Sequence, residues 1–151
     1  MKVAESFVIP EPRESVWLVV GDVERVAACL PGVEQVTMED AEHGTVRITQ
    51  SLGPMTATFD AKMQVTNREP GRAISFSATG RTIRGAAGNV RVTNTVRLED
   101  EGEGATRVEL EADVAMGGML GAVGTKVIAR QASRAAKEFA ANLEKALHAE
   151  P

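Results

Sequence analysis

The side chains best placed to do chemistry in this chain are two amides. On one strand-patterned stretch Gln50 interrupts the apolar series Val46, Ile48 and Leu52; on another, Asn94 interrupts Val90, Val92, Val96 and Leu98. A buried amide without a partner costs about 1–3 kcal/mol, so each must bond to backbone, to water, to the other amide or to the polar end of a ligand. An amide NH₂ can donate to a carbonyl oxygen, which suits an apolar molecule with a polar head. Backbone or ordered water would satisfy the same groups.

The other polar residues fit catalysis poorly. Asp60, Glu109, Glu111 and Asp113 fall on outward positions, where Lys62, Arg91, Arg97 and Arg107 can pair with them across strands, the pattern of a solvated face. Of the two histidines, His43 sits in a polar turn and His148 near the end of the chain, and they lie too far apart in pattern for a metal site or a Ser/His/Asp set. Cys29 is the single cysteine and has no neighbouring base, so no disulfide, metal or covalent cofactor is expected. Gly117–Gly124 lacks the βαβ context of a dinucleotide fingerprint, and Gly80–Gly88 misses the phosphate-loop pattern. In the second of these, Arg81 and Arg84 flank Ile83 on what reads as a solvated hairpin tip, a place to touch an anionic surface or a protein. Tyrosine is absent, aromatic content is 3%, and the net charge of -4 with mixed signs gives no broad basic footprint, so nucleic acid is not an expected partner.

The elements that position the amides follow from periodicity. A strand through Val3, Glu5, Phe7 and Ile9 ends at Pro10; Pro12 opens a short helix burying Val16, Trp17, Val19 and Val20; Asp22 caps a second, Val23 to Leu30. From Val33 the period becomes two, and turn-like connectors such as Glu69-Pro70-Gly71 join the strands as an antiparallel meander. The Gly-rich hinge Gly117–Gly124 then leads into a helix pattern reaching about His148, with Val127, Ile128, Gln131, Ala135, Phe139, Leu143 and Leu147 on one face. This order predicts one α+β helix-grip domain over residues 1–151: a bent antiparallel sheet of about seven strands around a long C-terminal helix, with two short helices after the first strand.

Gly121, Gly124, Ala132, Ala135 and Ala136 leave that helix thin on its inner side. Small residues there either permit close backbone packing or leave a cavity. The expected cavity is lined by Phe59, Phe76, Val92, Leu110, Met116, Leu120 and Val127, with Gln50 and Asn94 holding a ligand head, and Gly117, Gly118, Met119, Gly121 and Gly124 forming a mobile gate. No signal peptide and no bilayer-spanning apolar run is evident, so the expected compartment is the cytoplasm.

Phe7-Val8-Ile9-Pro10, Val16-Trp17, Gly21-Asp22, Cys29-Leu30-Pro31-Gly32, Leu52-Gly53-Pro54, Thr106, Asp113-Val114, Gly117–Gly121 and Gly124 together resemble the family of the carbon monoxide dehydrogenase G subunit over essentially the whole chain. The resemblance implies a START-like (SRPBCC) helix-grip fold and an accessory role, not a catalytic one, beside a molybdenum hydroxylase of the carbon monoxide dehydrogenase type. It further implies recruitment of that enzyme to the membrane and binding of a respiratory quinone or other lipophilic molecule in the cavity. The sequence stops at Pro151 without the further C-terminal tail of some members, so direct membrane anchoring is not expected of it; the resemblance leaves peripheral contact at the inner face of the membrane as the alternative to a purely cytoplasmic location. No catalytic residue carries over, because the shared motifs are turns, helix ends and packing positions. Two alternatives remain at this stage: a small enzyme of the cyclase or dehydratase type, and an adaptor with a filled core that binds only protein.

Overall fold

The computed structural model describes residues 1–148. Strand β1 (Lys2–Ile9) is followed by helices α1 (Arg13–Val20) and α2 (Val23–Ala28), then by β2 (Val33–Met38), β3 (His43–Leu52), β4 (Met55–Glu69), β5 (Ala73–Gly85), β6 (Gly88–Asp100) and β7 (Thr106–Gly118). A 3-10 turn, Met119–Ala122, leads into α3 (Thr125–His148). The seven strands form one antiparallel sheet in the order β1-β7-β6-β5-β4-β3-β2. This is the α+β helix-grip expected from the order of patterns.

Local chemistry explains the joints. Pro12 stands at the N-cap of α1, where its missing N–H costs no bond, and Gly21 closes the helix. The Asp22 carboxylate accepts from the backbone N–H of Glu24 and Arg25 at 3.1 and 3.3 Å, satisfying two donors that α2 leaves open. That helix stops at Ala28, two residues before the expected Leu30, with Cys29 as its cap. Beyond it, the Asn142 side chain donates to the Cys29 carbonyl at 2.9 Å and ties the turn to α3.

Two glycine-rich stretches are more ordered than their composition implies. Gly80–Gly85 continues β5, pairing Gly80 with Ala61 and Gly85 with Ala57, so the β5–β6 turn shrinks to Ala86-Ala87. Gly117 and Gly118 likewise belong to β7, opposite Asn89 and Gly88. In both cases ladder bonding to a neighbouring strand overrides weak intrinsic strand propensity.

The inner face of the sheet carries two apolar clusters. The larger joins Val16, Val19, Val20, Val26, Ile74, Val96, Leu98 and Val108 to Phe139 and Leu143 of α3. Phe7 meets Phe139 edge-on, with ring centroids 6.1 Å apart. The smaller gathers Leu52, Ala57, Phe59 and Leu120, with Met116, Val123 and Val127 against them.

Candidate functional site

Cross-strand register fixes the inner face row by row. One row runs Val3, Ala112, Asn94, Phe76, Val65; the next runs Val114, Val92, Ala78, Met63. Rows to one side feed the large cluster through Val96 and Leu110, and rows to the other feed the small cluster through Val90 and Met116. Between them Ala78, Val92, Asn94, Ala112 and Val114 are half-buried and belong to neither cluster. The close backbone approaches of α3 are to β1, α1 and β3, the two flanks of the bent sheet and the helix beside them, and the helix bridges these central rows. These residues form a half-exposed apolar band along the inner face, the trough between the two closed clusters.

The expected lining is thus divided. Phe59 and Leu120 are buried in the small cluster with Met116 and Val127 beside them; Phe76 is buried in the large one with Leu110 against it; Val92 and Asn94 lie in the trough. The two amides differ in the same way. Gln50 Nε2 donates to the Pro31 carbonyl at 2.8 Å, and Gln50 Oε1 accepts from Gln131 Nε2, so this residue pins α3 and the α2–β2 turn to the sheet. Asn94 makes no side-chain hydrogen bond to any described residue, yet the described part of the protein contains no buried unpaired side-chain polar atom. Its amide is therefore open to water and to anything that replaces water.

The hinge is divided as well. Gly117 and Gly118 are held in the ladder, Met119 N–H donates to the Ala87 carbonyl at 3.0 Å, and Leu120 is fully buried. Gly121, Ala122 and Gly124 are exposed. Met119 is 60% exposed, so the expected apolar pair Met119-Leu120 has one member in solvent and one locked in the core.

One further inward residue, Glu5, was not among the expected site residues. It lies opposite Leu110 on the side of β1 that places Phe7 against Phe139, half-buried and without a hydrogen bond to a described residue. The alternation Val3, Glu5, Phe7, Ile9 already carried that signal. The outward acids behave as a solvated face, though with other partners than expected. Arg47 donates to both oxygens of Asp60 at 2.8 and 3.1 Å, and Arg107 to both oxygens of Glu101 at 2.9 and 3.0 Å. These hydrogen bonds hold the Asp60 and Glu101 carboxyls below the usual carboxylate range. His43 Nδ1 lies 2.9 Å from the Asp40 carboxylate, which raises its pKa, and burial pushes the Cys29 thiol up, away from the reactive thiolate form.

Two surface pockets stand away from the trough. One of about 520 Å³ lies among Trp17, Asp22, Met38, Asp40 and Arg68, and one of about 100 Å³ is lined by Gly53, Val127, Arg130, Gln131 and Arg134. Among the described residues no helix is long and apolar enough to cross a membrane.

The family pattern of the carbon monoxide dehydrogenase G subunit (CoxG) matches residues 6–148. The chain belongs to that family. CoxG membership agrees with the solved structures that share this fold. A conserved protein from Geobacillus kaustophilus superposes with a TM-score of 0.86 at 17% identity, covering 98% of this chain and 95% of that one. A START superfamily protein from Mycobacterium smegmatis gives 0.69 at 12% identity, covering 97% of each chain. The Zhui aromatase/cyclase from Streptomyces sp. R1128 gives 0.60 at 16%, covering 97% of this chain and 90% of that one. At such identities the likeness is one of fold. No curated protein matches the chain in sequence.

Proposed function

We propose that this CoxG-family domain binds a lipophilic molecule with a carbonyl head, a respiratory quinone, in the trough between α3 and the central strands, as an accessory of a molybdenum hydroxylase. The observation that carries the proposal is Asn94: an inward amide with no protein partner, on half-exposed apolar rows that the helix bridges without filling. Burial of the ring and tail against Ala78, Val92, Ala112 and Val114 supplies affinity at about 25 cal/mol per Å² of apolar surface. The Asn94 NH₂ supplies orientation by donating to a quinone oxygen. A filled-core adaptor is disfavoured by the same rows, which are left half-exposed between two closed clusters. A cyclase-type enzyme needs acid–base groups facing inward, and the one inward acid identified, Glu5, makes no hydrogen bond to a described residue.

Solvent extraction of the purified protein, followed by titration with menaquinone and ubiquinone analogues, tests the proposal. Asn94→Leu should weaken binding by about 1–2 kcal/mol, the worth of one lost hydrogen bond, with an unchanged melting curve. Equal affinity in variant and parent, or no quinone binding at all, would refute it.

A further inference from the structure

The larger of the two surface pockets, about 520 Å³, takes no part in the trough. It lies at the acidic end of the molecule, where the turns Glu39-Asp40-Ala41-Glu42 and Glu101-Gly102-Glu103 fall; the β3–β4 and β5–β6 turns and the β7–α3 connection, with Arg130 and Arg134 on the α3 turns that follow, form the basic end opposite. Segments far apart in sequence converge on the pocket: Trp17 from α1, Asp22 and Glu24 from the start of α2, Met38 and Asp40 from the β2–β3 hairpin, and Arg68 from the end of β4. Its volume falls within the range of small-molecule sites.

Two glycines seat its walls. A Cβ on Gly21 would lie 2.5 Å from Trp17 Cε2, so the missing side chain lets the indole lie across the α1–α2 junction; a Cβ on Gly44 would lie 2.7 Å from Met38 Sδ, so the thioether rests over its cross-strand partner. Trp17 is half-buried against the large cluster, and its indole N–H, unbonded by any described residue, is not sealed from solvent. Indole and thioether together offer a soft, polarisable surface, and a ring face attracts an organic cation through its quadrupole.

The charge lining has the matching sign. Asp22, Glu24 and Asp40 outweigh Arg68, with His43 beside Asp40 as the other group able to carry positive charge. Asp22 already accepts from two N–H groups of α2, and Asp40 accepts from the N–H groups of Glu42 and His43, so these carboxylates offer field more than free lone pairs. They do not converge as a chelate either: among the described residues no three acidic, histidine or cysteine side chains are grouped to hold a metal ion. An ammonium with N–H groups needs acceptors that are taken here, and a metal ion needs ligands that are spread apart; a quaternary ammonium needs neither. We propose that this pocket binds a quaternary ammonium ion of the choline type, its methyl groups against Trp17 and Met38 and its charge in the field of Asp22, Glu24 and Asp40. Glu24 and Arg68 make no ion pair among the described residues, so each acts on the occupant directly, one attracting and one repelling.

Trp17 is the only tryptophan of the chain, so its indole N–H gives a single nuclear magnetic resonance signal that reports on this pocket. The full-length protein is titrated, at constant ionic strength, with choline and with its uncharged carbon isostere, dimethylbutanol. Choline should shift the indole signal saturably, and the alcohol should bind at least about fivefold more weakly. Glu24→Gln, at an exposed side chain without a hydrogen bond to a described residue, should weaken choline binding about threefold, and Arg68→Gln should strengthen it about twofold, both leaving the alcohol's affinity unchanged. Glu103→Gln, the same charge change in the β6–β7 turn, should leave choline binding unaltered. Absence of a saturable shift with choline, equal affinity for the alcohol, or equal losses in Glu24→Gln and Glu103→Gln would overturn the site. The quinone proposal rests on other residues and stands or falls independently of this titration.

Discussion

Two glycines of the β7–α3 connection should respond to substitution with opposite signs. At Gly118 φ is +69° and ψ -145°, an essentially glycine-only conformation that costs a residue with a Cβ about 1–3 kcal/mol, and the added carbon would sit 2.8 Å from Gly88 Cα. Backbone cannot swing aside, so the β6–β7 pair must part at its end. Gly124 is different: a Cβ there meets nothing within 4 Å, φ lies outside the left-handed region, and its carbonyl accepts from the N–H groups of Val127 and Ile128 at 3.1 and 3.2 Å. It occupies the N-cap position of α3, where serine satisfies a free N–H better than glycine and also loses less chain entropy on folding. Together these gains come to about 0.5–1 kcal/mol, or roughly 1–4 °C in Tm for a domain of this size. Thermal melts should therefore show Gly124→Ser above the parent and Gly118→Ala several degrees below. If Gly121–Gly124 also gates the trough, Gly124→Ser should slow quinone binding and release together while changing Kd little. Shifts of the same sign in both variants would refute the division of this segment into a strained anchor and a free linker.

Further outcomes follow from the packing and the ion pairs. Gln50→Leu should destabilise by about 1–3 kcal/mol in urea, because the Pro31 carbonyl and the Gln131 amide lose their partner; unchanged stability would return Gln50 to the ligand. Phe139→Ala removes a side chain only 4% exposed that closes the large cluster on Phe7 and should cost about 3–5 kcal/mol by the same measurement. Asp60 has a native pKa depressed by its hydrogen bonds from Arg47, so its contribution is fully present above the unfolded value and is lost as pH falls through the native one. Melting temperature should thus decline below about pH 4, and Asp60→Asn should flatten part of that decline by lowering the neutral plateau slightly and meeting the parent at low pH.

Much of this fold was legible because its elements announce themselves by period. Alternation along Met55–Val65 and the three- and four-residue steps from Val127 to Leu147 have one physical cause each, a half-buried strand and a helix with one apolar face. What the pattern could not convey was how side chains on one face share the space. Gln50 and Asn94 interrupt their stripes identically, yet Gln50 comes under Gln131 and beside the Pro31 carbonyl, while Asn94 has Phe76 and Ala112 as its cross-strand neighbours. That difference depends on where a helix far along the sequence crosses the sheet. The same holds for the glycines: composition indicates freedom at Gly80 and Gly117, but strands from elsewhere in the chain supply ladder partners that remove it.

The positions of the two clusters constrain how a ligand could reach the trough. The large cluster closes the acidic end with Val96, Leu98, Phe139 and Leu143 under two helices, and nothing there connects to a glycine-rich linker. At the basic end the closure is thinner: Leu52, Ala57, Phe59 and Leu120, with Leu120 alone contributed by the connection to α3. Leu120 is fully buried and its neighbour Met119 is bonded to Ala87, while Gly121, Ala122 and Gly124 beyond it are exposed and outside the ladder. Any widening of the trough at the basic end would involve Leu120, and the linker on its C-terminal side would let it move without moving β7. Gly117 and Gly118 are held in the β7 ladder, so gating by this connection, were it to occur, would fall to Leu120 and Gly121–Gly124.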